Sequence, residues 1–95
     1  VNNYHLLELT MNFCVVTTFD CSFEEFKAGI AEFEDDMKKC LAEWEIAKMD
    51  DHKAVAFFEV TDMDAFKAIF ATPKAADFHT KHNLVDTFYT LEKLS

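Results

Sequence analysis

The sequence predicts an α+β fold with a four-stranded antiparallel sheet carrying helices on one face. Three observations point to it. The segments Phe13-Cys14-Val15-Val16 and Ala54-Val55-Ala56-Phe57-Phe58 are unbroken apolar runs, as expected of strands covered on both faces. Between them lies a helix with a clear start signal and one apolar stripe. Two further strand-like segments are joined by a short polar turn, the mark of a hairpin.

The elements follow in order. Residues 1–10 (Val1 to Thr10) carry Tyr4, Leu6, Leu7 and Leu9 and read as an N-terminal arm packed on the core or on a partner. Residues 11–95 read as a single domain. Met11 to Phe19 is the first strand. Ser22 followed by Glu25 is a capping box, and Cys21 with Phe26 can form the hydrophobic staple. Phe23, Phe26, Ile30, Phe33 and Met37 then recur at spacings of three and four, so one helix is expected over about 22–39. Gly29, the single glycine, lies inside it. Its cost of about 1 kcal/mol relative to Ala suggests a close approach to the sheet.

Leu41 to Met49 reads as the second strand, with Trp44 and Ile46 on one face and Glu43, Glu45, Ala47 and Met49 on the other. Asp50-Asp51-His52-Lys53 is the turn, and Ala54 to Val60 the third strand. Thr61, with Asp64, starts a second helical region over about 62–81 bearing Phe66, Ile69 and Phe70. Thr72-Pro73 interrupts and restarts it, Thr72 capping and Pro73 taking the first helical position. Leu84 to Leu94 is the fourth strand.

Composition bounds the partners. The chain has 95 residues, 51% hydrophobic and 28% charged, which is globular rather than disordered. A chain of this size buries roughly two thirds of its unfolded surface, enough for one core with no spare layer. Its helices can cover one side of the sheet, and a second copy is the economical cover for the other, so a homodimer is expected. Eighteen acidic residues face nine Lys and no Arg, giving a net charge of −9. That balance excludes a nucleic-acid partner, which needs cationic surface, and disfavours an anionic membrane. No apolar stretch reaches the ~18 residues of a span, and no signal peptide is recognised. Cys14, Cys21 and Cys40 form no CxxC and read as free thiols in a reducing cytoplasm.

The order β-α-β-β-α-β is the ferredoxin-like arrangement. With its short chain and broken second helix, the segment from Met11 to Leu94 resembles the dimeric α+β-barrel proteins, in which two sheets pack face to face. The Phe-rich, acidic, Arg-free composition is similar to that of small uncharacterised marine bacterial members.

One glycine cannot build a GxGxxG or Walker loop, and GxSxG, HExxH and Cys/His zinc patterns are absent. The constellation that remains is His79-Thr80-Lys81-His82, followed by Asp86. Two His at i and i+3 can hold a substrate or act as acid and base near neutral pH; on a solvated helix end they would simply complement the dipole. Lys81 between them argues against a metal, and no cofactor is expected. Trp44, the only Trp, offers a flat apolar wall, and a ligand site would join it to His79 or His82. The resemblance adds a further candidate. Haem-degrading and polyketide-quinone monooxygenases of that superfamily work with few residues, typically an Asn, a Trp and a His, without a resident cofactor. Asn12, Trp44, His79 and His82 supply those types here, Trp44 on an earlier strand than in the haem-degrading pattern.

Three functions follow as expectations. The first is a small homodimer binding an apolar or aromatic ligand in the sheet–helix crevice. The second is a cofactor-independent monooxygenase or isomerase using His79 or His82. The third is a structural or interaction protein whose crevice is plugged by Phe side chains.

Overall fold

The computed structural model describes residues 11–94, so the N-terminal arm expected over residues 1–10 lies outside the described residues. The elements are β1 (Phe13–Thr18), α1 (Phe23–Ala31), α2 (Glu34–Cys40), β2 (Leu41–Asp50), β3 (Lys53–Val60), α3 (Met63–Phe70), α4 (Pro73–His82) and β4 (Val85–Thr90). The strands form one antiparallel sheet in the order β2-β3-β1-β4. This is the expected ferredoxin-like α+β topology.

Local chemistry sets the boundaries. Ser22 caps α1 by accepting from the Glu25 amide at 3.1 Å, and its hydroxyl donates to the Glu25 carboxylate at 3.2 Å. Thr72 caps α4 through the Ala75 amide, with Pro73 at the first turn. The cap of α3 is Asp62, which accepts from the Ala65 amide at 3.0 Å, and not Thr61. Thr61 is engaged elsewhere, its amide donating to the Cys40 carbonyl at 2.8 Å.

The helix expected over 22–39 is two helices. At its break, the amides of Glu32 and Phe33 bond three residues back, to Gly29 at 3.2 Å and Ile30 at 2.9 Å, a tight final turn of 3₁₀ type. The Lys74 ammonium donates to the Glu32 carbonyl that the break leaves free. The turn keeps both Phe33 and Met37 buried. Gly29 does permit a close approach, but to a helix rather than to the sheet. A Cβ there would lie 2.2 Å from Cε1 of Phe78 on α4.

Side chains alternate across the sheet. Phe13, Val15 and Thr17 of β1, Ala54, Ala56, Phe58 and Val60 of β3, and Trp44 and Ile46 of β2 face the helices. They pack there with Phe26, Phe33, Met37, Phe66 and Phe78. The opposite face has an apolar centre. Cys14 sits between Phe57 and Tyr89, Val16 between Val55 and Thr87, and Ala47 opposite Val55. Met49, Val85 and Tyr89 on this face are 53%, 62% and 50% exposed. Glu43 and Glu45 lie at its β2 edge. Among the described residues no helix is long and apolar enough to cross a membrane.

Candidate functional site

A cavity of about 80 Å³ lies between the sheet and the helices, room for several water molecules. Its walls come from both the sheet and the helices. β1 and β3 supply Val15, Ala56 and Phe58, α1 supplies Phe26 and Ile30, and α4 supplies Phe78. The Phe rings therefore line the crevice without filling it. Of the described residues that line it, only Thr17, His79 and Asp86 are polar.

These three form one hydrogen-bonded array. Strand pairing sets Thr17 of β1 directly opposite Asp86 of β4, both on the helix side. The Thr17 hydroxyl donates to Asp86 Oδ1 at 2.6 Å. His79 Nε2 lies 2.6 Å from Asp86 Oδ2, and His79 Nδ1 lies 2.8 Å from the Ala75 carbonyl one turn back in α4. That carbonyl can only accept, which fixes a proton on Nδ1. The turn after α4 carries β4 into place. Asn83 adopts the left-handed conformation, φ 52°, which Asn tolerates better than most residues. The Leu84 amide then returns to the His79 carbonyl at 3.0 Å.

The Asp86 side chain is 10% exposed and that of His79 33%. Burial disfavours the charged imidazole. The hydrogen bonds to Asp86 and the Ala75 carbonyl, together with the Asp86 charge, outweigh it and raise the His79 pKa above its ordinary value. The pair thus holds a proton more firmly than a free histidine. Burial pushes the thiols of Cys14, Cys21 and Cys40 up, and at Cys21 the Glu25 and Asp20 charges add to it. None of the three is an activated nucleophile.

The other residues singled out from the sequence lie elsewhere. Trp44 packs against the main core cluster on β2 without lining the cavity. β2 and β4 are opposite edges of the sheet, three strand spacings or ~14 Å apart, so Trp44 is remote from Asp86. His82 packs edge-on against Phe78 at 5.5 Å and lines a separate outer groove between α1 and α4. Asn12 clamps backbone: its side chain donates to the Val60 carbonyl at 3.1 Å and accepts from the Val60 amide at 2.9 Å. His79 alone of the four lines the cavity. Thr17 was not singled out from the sequence, although a threonine at an inward position of an otherwise apolar strand was its signal. Among the described residues no three His, Cys, Asp or Glu side chains converge as a metal site would require.

The described residues form a ferredoxin-like α+β fold, and solved structures share that fold. The cofactor-independent oxygenase SnoaB from Streptomyces nogalater superposes with a TM-score of 0.61 at 18% identity, covering 87% of this chain and 93% of that one. Protein SO0527 from Shewanella oneidensis gives 0.56 at 15% identity, over 86% and 92% of the two chains. A hydroxynitrile lyase from Passiflora edulis gives 0.51 at 12% identity, over 90% and 98%. No family model and no curated protein sequence matches the chain. The likeness is one of fold, and the particular chemistry of this chain has to be argued from its own cavity.

Proposed function

We propose that the chain is a small homodimeric α+β-barrel protein that binds a small apolar or aromatic molecule in the sheet–helix cavity. The observation that carries this reading is a cavity walled by apolar side chains whose polar lining is the Thr17–Asp86–His79 array. Such a combination gives affinity through burial and orientation through a few polar groups. The homodimer rests on the apolar centre of the opposite sheet face, where Met49, Val85 and Tyr89 stand half or more exposed. A patch of that kind on a soluble protein marks an interaction surface. The three free, buried thiols suit a reducing cytoplasm.

Phenol, followed by NMR titration, tests the binding site. Saturable shifts are expected at Val15, Thr17, Ile30 and His79, and Ala56→Phe, which fills the cavity from β3, should abolish them while unfolding stays cooperative. Absent shifts, or shifts unchanged by Ala56→Phe, would refute the reading.

A catalytic version is favoured by one specific observation, the carboxylate–imidazole pair inside the cavity, and is supported by the fold shared with a cofactor-independent oxygenase. In it the pair takes a proton from an aromatic substrate. The resulting anion either gives an electron to O₂ and recombines with the superoxide as a peroxide, or is reprotonated elsewhere as an isomerase product. The peroxide takes the proton back as a hydroperoxide and loses water, leaving one oxygen atom on the ring as a carbonyl. Oxygen uptake with 1,4-dihydroxynaphthalene should exceed the uncatalysed rate and fall to it in His79→Ala. An uptake rate indifferent to that substitution removes the oxygenase version and leaves binding.

A further inference from the structure

The polar end of the cavity has an unusual hydrogen-bond balance. The Thr17 hydroxyl proton is directed to Asp86 Oδ1. One His79 proton is directed to the Ala75 carbonyl. The other is shared between His79 Nε2 and Asp86 Oδ2, and whichever of the two atoms holds it, it lies between them. Every polar proton of the array is therefore consumed inside the array.

Acceptor capacity is left over. A carboxylate offers about four lone-pair sites and a hydroxyl two. Asp86 uses one site for Thr17 and one for His79, and among the described residues no donor reaches the Thr17 oxygen. Of the described residues, the remaining lining is apolar, with neither Lys nor Arg among it. We infer that the cavity selects neutral ligands that donate a hydrogen bond, an aromatic or alicyclic hydroxyl or N–H compound, whose proton is received by the Asp86 carboxylate or the Thr17 oxygen. This rests on the cavity being the binding site and goes further by naming what must enter it. A ketone, ether or hydrocarbon finds no donor there. A carboxylate meets the Asp86 charge at close range, which in a poorly solvated site costs more than an apolar wall returns.

Phenol and toluene make the test, since they differ by a hydroxyl in place of a methyl at nearly constant shape. NMR titration gives both dissociation constants on the same protein. Desolvation alone favours toluene. A bond to a charged acceptor reverses that order, and phenol is expected to bind at least about tenfold more tightly. Benzoate should not bind at the concentrations that saturate phenol. In Asp86→Asn the amide supplies protons of its own, and the phenol preference should fall to about threefold or less.

Equal affinities for phenol and toluene, or tight benzoate binding, overturn the donor rule and leave the cavity standing as a binding site. Binding of neither phenol nor toluene overturns the site itself. If Asp86→Asn does not fold, Thr17→Val supplies the second arm. It removes the Thr17 acceptor but leaves the carboxylate, so the donor rule requires some preference for phenol over toluene to persist. Its loss together with unchanged toluene binding would show that the carboxylate accepts no ligand proton and overturn its part in the rule.

Discussion

Gly29→Ala sets two contributions of known sign against each other. In an exposed helix interior the substitution gains about 1 kcal/mol of helix stability. Here the new Cβ would stand 2.2 Å from Cε1 and 2.4 Å from Cζ of Phe78, about 1.3 Å inside a normal carbon–carbon contact. Phe26 and Phe33 at 6.2 Å and His82 at 5.5 Å between centroids hem the ring, so it can yield only by giving up those contacts toward the cavity or the groove. Overpacking of this kind costs about 1–3 kcal/mol, and with two ring atoms overlapped the upper half of that range applies. The net expectation is a loss of about 1–2 kcal/mol. In a Phe78→Leu background the overlapped ring atoms are gone, and Gly29→Ala should become stabilising by a few tenths of a kcal/mol up to about 1 kcal/mol. Urea unfolding of the four proteins closes the double-mutant cycle, with a coupling of about 2 kcal/mol expected. A stabilising Gly29→Ala in the wild-type background, or the same effect in both backgrounds, would refute the packing argument.

Two further outcomes are expected. The folded His79 pKa is raised, so its contribution to stability is complete below the unfolded value of about 6.5. It is lost as pH rises through the folded value. The stability difference between wild type and His79→Gln, measured by urea unfolding, should therefore shrink from pH 5.5 to pH 9, and a difference that grows would show the sign to be wrong. Wild-type protein should sediment at twice the 11.0 kDa chain mass at micromolar concentration, and Val55→Glu with Tyr89→Glu on the apolar sheet face should sediment at the chain mass with its fold intact; a monomeric wild type would overturn the dimer.

Local signals in the sequence carried most of the fold. Ser22 with Glu25 and Thr72 with Pro73 are caps whose chemistry is complete within four residues, and the apolar runs of β1 and β3 need only their own alternation to be read. Features decided by contacts across the chain were less legible. The break after Ala31 leaves the Glu32 carbonyl to a partner 42 residues away, Lys74. The Gly29 contact depends on a ring from α4. His79 and Asp86 could be seen as neighbours, but Thr17 joins them only because β1 and β4 pair in one particular register. Nothing local in the sequence separates Trp44 from His79; strand order does, with Trp44 on β2 and the Asp86 partner of His79 on β4, at opposite edges of the sheet. The inward polar positions of strands, Thr17 and Asp86, were the stronger indicator.

The partition between the cavity and the outer groove is made of two aromatic rings. Phe33 and Phe78 line both spaces, with centroids 6.2 Å apart, and the Lys74 ammonium sits 4.6 Å over the Phe33 ring. A molecule crossing from the groove must swing one ring aside. Traffic by that route is timed by side-chain and helix motion rather than by encounter in solution. Because Lys74 also holds the Glu32 carbonyl, the same ammonium braces the ring and the bend between α1 and α2. Loosening that brace would change how fast a guest exchanges more than how tightly it is held, a distinction visible in line shapes rather than in equilibrium titrations.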